Sequence, residues 1–164
     1  MKRDISYFKY VARHKWFVFL ACLKLRVPLW QALVHDWTKY TRVEWGVYAK
    51  TFYNKDGSPI SLRDKSGAYD PNAVLGFQRA WCNHQKAKHH WQAWVSIGTS
   101  GTTPISIPER YIREMIADWV GAGMAQTGRR DPTPWYEANK DTMILTPSTR
   151  LRIEEILNEV YLHN

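Results

Sequence analysis

Apolar residues recur every three or four positions through most of the chain, which is the spacing of α-helices with one buried face. Between residues 4 and 25 the stripe runs Tyr7, Val11, His14, Val18, Ala21, Leu25. Asp4 stands where it can cap that helix. Pro28 opens a short second helix over residues 29 to 34, proline being at home in a first turn. A third follows Thr41, with Trp45, Tyr48, Ala49 and Phe52 on one face. Asp70-Pro71 reads as a cap and first-turn proline, launching a helix through Phe77 and Trp81 toward His84. Ser106-Ile-Pro-Glu109 has the form of a capping box, opening a helix through Asp118. Gly121 and Gly123 either weaken that helix or let another backbone approach closely. Pro134 and Thr146-Pro147 start two more. The last turns Ile153, Ile156, Leu157 and Val160 inward and Arg152, Glu154, Glu155 and Glu159 outward.

The segments between are turn-rich. Residues 54 to 70 carry turn chemistry throughout and predict an exposed loop or lid, and residues 97 to 107 are rich in Gly, Ser and Thr. A short β pair in either loop is compatible with the pattern. The expected class is all-α, with about six to seven helices in a single domain over residues 1–164. A core about residues 10–125 would carry the chemistry, and helices over 134–162 would be scaffold.

Composition narrows the class. A chain of 164 residues, 45% hydrophobic and 23% charged, is ordinary globular material that needs no disulfide staple. Cys22 and Cys82 lie in unrelated contexts and predict reduced core thiols. The apolar run at 16–23 is far shorter than the ~20 residues of a membrane span, and no targeting signal is visible, so a cytoplasmic protein is expected. Nine Trp and nine Tyr predict an aromatic core, with platforms for bases or sugars as the alternative. The net charge of +8 favours anionic partners without choosing among them.

Polar residues stand where the helical pattern asks for apolar ones. His14 interrupts the first stripe, His35-Asp36 ends the second helix, and Asp118 follows Tyr111 and Met115 on an inward stripe. A buried carboxylate is costly unless paired or metal-bound. Two imidazoles and two carboxylates form an N/O set suited to Mn, Fe, Co, Ni or Zn. Each has a plainer reading as well: a hydrogen-bonded core histidine, a chance His-Asp pair, or an Asp118 paired with Arg110 or Arg113. The P-loop, the dinucleotide fingerprint, the Cys-x-x-Cys zinc pattern and a helix-turn-helix are all absent.

The order His14, His35-Asp36, Asp118 resembles the H…HD…D signature of the HD-domain superfamily of metal-dependent phosphohydrolases. His-Asp-Trp-Thr-Lys, the His-His-Trp run and Asp-Trp-Val-Gly-Ala-Gly also look like a branch of short, uncharacterised HD-like proteins of bacteria and phages. The resemblance covers roughly residues 10 to 125. It implies a metal held by His14, His35, Asp36 and Asp118, in the cytoplasm of a bacterial or phage-infected cell. In dinuclear members, two further histidines hold a second ion, a role open to His84 with His89 or His90. On an unbroken helix His84 and His90 would lie about 240° apart, and His84 and His89 about 140°, so the helix must bend or end between them.

Lys39 completes His-Asp-x-x-Lys. Some HD hydrolases carry Glu there, so their acid–base role does not carry over, and Lys39 is expected to contact substrate or solvent. Glu44 is the nearest carboxylate for proton transfer, or else a surface residue paired with Arg42 or Lys50. Lys86, Lys88, Arg129 and Arg130 are candidates to grip a phosphate, or simply solvated charges. The implied activity is hydrolysis of a nucleotide or related phosphate ester or phosphodiester, with one or two divalent ions and Mg as a further option. The alternatives are an HD-type diiron oxygenase and a non-catalytic small-anion binding or interaction protein. A membrane partner is not expected. Nucleic acid is less favoured than a small anionic substrate, and a homo-oligomer remains open.

Overall fold

The computed structural model describes residues 1–62, 75–99 and 101–162. Seven α-helices account for most of them: α1 Lys2–Lys24, α2 Leu29–Val34, α3 Trp45–Phe52, α4 Gln78–His84, α5 Glu109–Gln126, α6 Thr133–Asn139 and α7 Pro147–Leu157. The protein is all-α, its only strands among the described residues being β1 Val95–Gly98 and β2 Gly101–Pro104. These pair antiparallel, Val95 opposite Pro104 and Gly98 opposite Gly101. Part of the expected 97–107 loop is therefore a hairpin. Gly101, the first residue of β2, holds φ 112, a conformation that side-chain-bearing residues rarely adopt. The expected helix start at Asp70-Pro71 lies outside the described residues.

The chain divides into two units. The first comprises residues 1–13 and 36–84, the second residues 14–35 and 85–164. In the first unit, Tyr7 and Val11 from α1 pack with Tyr48 and Ala49 of α3 and Ala80 of α4. The Trp45 and Tyr7 rings meet edge to face with centroids 4.8 Å apart, an arrangement suited to the ring quadrupoles. In the second unit, Val18, Ala21 and Cys22 from the rest of α1, with Leu25 just past its end, pack with Ile112, Met115, Ile116 and Val120 of α5 and Ile153, Ile156 and Leu157 of α7. Every member of the first stripe is buried, His14 included.

Local chemistry explains the boundaries, with some departures from expectation. Arg26 (φ 56) ends α1 in the left-handed conformation, where Val27 N–H bonds the Cys22 carbonyl and Arg26 N–H that of Leu23. This is a Schellman cap with arginine in the usual glycine place. Thr146 caps α7 as expected, accepting from Thr149 N–H. Asp4 is not a cap: α1 begins at Lys2, and Asp4 instead meets the N-terminal ammonium at 3.1 Å and accepts from Trp45 Nε1. The capping box at Ser106 does not form either. Pro108 occupies the cap position of α5, and Ser106 Oγ lies 3.5 Å from Thr146 Oγ1.

Helix α5 runs through Gly121 and Gly123 without breaking, and the glycines serve close approach instead. A Cβ at Gly121 would meet Val18 Cγ2 at 2.3 Å, Val18 N at 3.0 Å and the His14 carbonyl oxygen at 3.2 Å. Of the two thiols only Cys22 is in the core, whereas Cys82 is exposed. The aromatic core is built from Tyr7, Tyr48, Tyr111 and Tyr136, and no tryptophan is fully buried. Among the described residues no helix is long and apolar enough to cross a membrane.

Candidate metal centre

In the second unit three helices deliver three side chains to one point. His14 comes from the middle of α1, His35 from the C-terminal cap of α2, and Asp118 from α5. His14 Nε2 lies 3.1 Å from Asp118 Oδ1, and His35 Nε2 lies 3.4 Å from the same oxygen. Both imidazoles are about 2% exposed. Arg113 bonds Glu109 and the Leu25 carbonyl, and Arg110 bonds the Tyr111 hydroxyl.

Glu114, one turn before Asp118, stands behind this trio. It is buried, its Oε1 is 3.0 Å from His35 Nδ1, and its Oε2 accepts from the Gln31 side-chain amide. His89 Nδ1 approaches the same Oε1 at 3.6 Å, and the His89 ring packs on His35 with centroids 4.2 Å apart. His90 follows, its ring 4.3 Å from that of His89. The Lys15 ammonium donates to the His35 carbonyl.

The first unit holds a second cluster of related design. Asp36 Oδ2 pairs with Lys39 Nζ at 2.5 Å, and Asp36 Oδ1 lies 3.5 Å from His84 Nε2. The other nitrogen of His84, Nδ1, is 3.1 Å from Glu44 Oε2, and Asn83 Nδ2 donates to Glu44 Oε1 at 3.0 Å. Glu44 is fully buried, so its place is behind His84 and not on a solvent-facing proton path. Burial pushes its carboxyl up, but His84, Asn83 and Thr38 together outweigh that and hold it below the ordinary carboxylate value. Burial pushes the Tyr7 and Tyr48 hydroxyls up, and the charges of Asp36 and Glu44 add to it, so both phenols stay neutral.

The sequence-selected residues thus separate into groups. His14, His35 and Asp118 converge in the second unit; Asp36, Lys39, Glu44 and His84 converge in the first. Helix α4 ends at His84, so the unbroken-helix angles of His84 with His89 or His90 do not apply. Lys86 and Lys88 are exposed, the Lys88 ammonium lying 5.8 Å from the centre of the Tyr111 ring. Arg129 and Arg130 are exposed beyond the end of α5, after a turn at Gly128 (φ 76). They do not share the turn of α5 that carries Glu114 and Asp118. Glu114 and Gln31 were not among the sequence candidates. The signal for Glu114 was a second acidic residue four before Asp118, on the same helical face.

The donor set fits a cation on chemical grounds. A carboxylate only accepts, so His35 Nδ1, facing Glu114, carries the hydrogen. In the neutral ring Nε2 then presents a lone pair, and it faces another acceptor, Asp118 Oδ1. Two acceptors at that separation need a proton or a metal ion between them. With metal–ligand bonds of about 2.0–2.2 Å, adjacent donor atoms sit roughly 2.9–3.5 Å apart. The 3.1 and 3.4 Å separations fall in that range. A carboxylate on the far nitrogen is also the usual backing of a metal-ligating histidine, and Glu114 supplies it to His35 and Glu44 to His84.

No curated protein and no solved structure matches the chain. A family model described as a family of unknown function (DUF5662) matches residues 3–159, nearly the full length, and the protein is a member of that family.

Proposed function

We propose that this protein is a metal-dependent phosphohydrolase of HD type, acting on a nucleotide or a related phosphate ester or phosphodiester. The observation that carries the reading is the convergence of His14 Nε2 and His35 Nε2 on one oxygen of Asp118, with the far side of His35 committed to Glu114. Those three residues would hold a divalent ion, and the HD pattern adds Asp36, the next residue after His35. When bound, such an ion supplies Lewis acidity toward a phosphoryl oxygen and lowers the pKa of a coordinated water.

The chain's own groups suit the rest of the task. Lys39 keeps an ammonium against Asp36, available to offset charge that builds on equatorial phosphoryl oxygens. Trp37 and Tyr40 flank it on the same 3-10 turn with their rings exposed, a surface on which a base can stack. The net charge of +8 raises the local concentration of anionic substrates.

Elemental analysis of protein purified without added metal, followed by a screen of nucleotides and phosphodiesters with Mn, Co and Mg, tests the reading. The expected result is a retained first-row metal and phosphate release that Asp118→Asn and Asp36→Asn abolish while the fold survives. A mixed-valent iron pair with oxygen-dependent turnover and no hydrolysis would instead make it an oxygenase. Neither metal nor turnover would leave a binding protein.

A further inference from the structure

We infer that Glu114, itself held by Gln31, is the positioning residue that decides which nitrogen of His35 faces Asp118. The inference rests on the metal-centre reading and deepens it.

Glu114 sits in the interior of α5 at about 3% exposure, where an ionised carboxylate is costly unless its oxygens are occupied. Both are: Gln31 donates to Oε2, and His35 Nδ1 meets Oε1 at 3.0 Å. Gln31 is fixed in turn by α2 and by its contact to the Arg110 carbonyl at 3.4 Å. Glu114 and Asp118 are four residues apart, so they project from one face of α5 about one turn, roughly 6 Å, from each other. An imidazole inserted between them turns one nitrogen to each. Removing Glu114 removes the acceptor that meets Nδ1 at 3.0 Å, which frees the ring to offer N–H instead of a lone pair toward Asp118. His89 comes to the same Oε1 at 3.6 Å and packs on the His35 ring, so His35 is also held from its flat side.

The experiment compares the parent with Glu114→Ala, Glu114→Gln and Gln31→Leu, each checked for fold by circular dichroism. Manganese and cobalt affinity is read by competition with a chromophoric chelator. In the metal-free protein, nitrogen-15 NMR reads whether His35 Nδ1 carries a slowly exchanging hydrogen. The expected result is an Nδ1–H signal in the parent that is lost in Glu114→Ala, with metal affinity lower by about 10–100-fold. Glu114→Gln should keep both within a few-fold, because the amide oxygen still accepts from Nδ1–H and Gln31 can turn its own carbonyl to the new amide. Gln31→Leu should fall between.

Equal metal affinity in parent and Glu114→Ala, or an Nδ1–H signal that persists in Glu114→Ala, overturns the inference. So does a loss in Glu114→Gln as deep as in Glu114→Ala when both are folded. A parent that shows the Glu114-dependent Nδ1–H signal yet retains no metal overturns the metal-centre reading and leaves the role of Glu114 in fixing His35 intact.

Discussion

Replacing Gly121 by alanine puts a number on how closely α1 and α5 must approach to bring His14 to Asp118. In an exposed helix interior the change would stabilise by about 0.5–1 kcal/mol, since alanine loses less backbone freedom on folding. At this position the new methyl meets Val18 Cγ2 at 2.3 Å, the Val18 nitrogen at 3.0 Å and the His14 carbonyl oxygen at 3.2 Å. A valine rotamer can clear the first contact, but the other two are backbone and move only if the helices separate. Overpacking of this kind costs about 1–3 kcal/mol, which exceeds the propensity gain. The expected net loss is about 1–2 kcal/mol, or a Tm lower by about 2–8 °C for a chain of this length. Guanidinium unfolding followed by circular dichroism measures it. The double variant with Val18→Ala removes the 2.3 Å contact, so Gly121→Ala should cost less in that background than in the parent. Because His14 sits at the contact, the single variant should also bind metal more weakly. A Gly121→Ala protein as stable as the parent, in both backgrounds, would refute the close-approach argument.

Two further outcomes concern a surface ion pair and a buried thiol. Hydrogen bonds from Arg152 and Arg113 hold the Glu109 carboxyl down at about 2. A carboxyl whose folded value lies below its unfolded one stabilises fully above the unfolded value and loses that contribution as pH falls toward the folded one. The Tm gap between the parent and Arg152→Ala should therefore be constant near neutrality and narrow from about pH 4.5 downward; a gap unchanged at about pH 2.5 would contradict the assignment. Burial pushes the Cys22 thiol up to about 12, with Glu114 and Asp118 adding to it, while Cys82 is exposed. An aromatic disulfide reagent at neutral pH should thus titrate one thiol quickly, vanish from Cys82→Ser, and reach the second only on denaturation; two fast thiols would count against a buried Cys22.

The helical stripes were legible because burial on one face leaves a 3.6-residue rhythm, and α1 shows it from Tyr7 to Leu25 without a miss. His14 was legible for the same reason, as an imidazole inside an apolar series. Glu114 was less so: it stands four residues before Asp118 on the same helical face, but a glutamate beside Met115 also fits the solvent-facing side of that stripe. Only the approach of α2 with Gln31 and His35 makes that side an interior. Gln31 lies in a six-residue helix, too short for a face to be distinguished. The failed cap at Ser106 has a related cause. Its hydroxyl meets Thr146, forty residues away, and a long-range partner leaves no mark in the local sequence. Tryptophan was misjudged through size: the large ring packs one edge against the core and leaves another in water, as Trp119 does beside Tyr136.

Asp36 holds φ 56 and ψ 22, the left-handed region, at the point where the chain leaves α2. A residue with a plain Cβ resists that conformation by about 1–2 kcal/mol, whereas aspartate and asparagine enter it with little penalty. Alanine scanning at this position would therefore conflate two losses, a carboxylate and a backbone bend. Asparagine separates them, keeping the bend and removing only the charge, and glycine likewise accepts the bend while removing the whole side chain. The corner that points this carboxylate at His84 thus restricts, by backbone sterics alone, which amino acids an experimenter can place there without rerouting the chain.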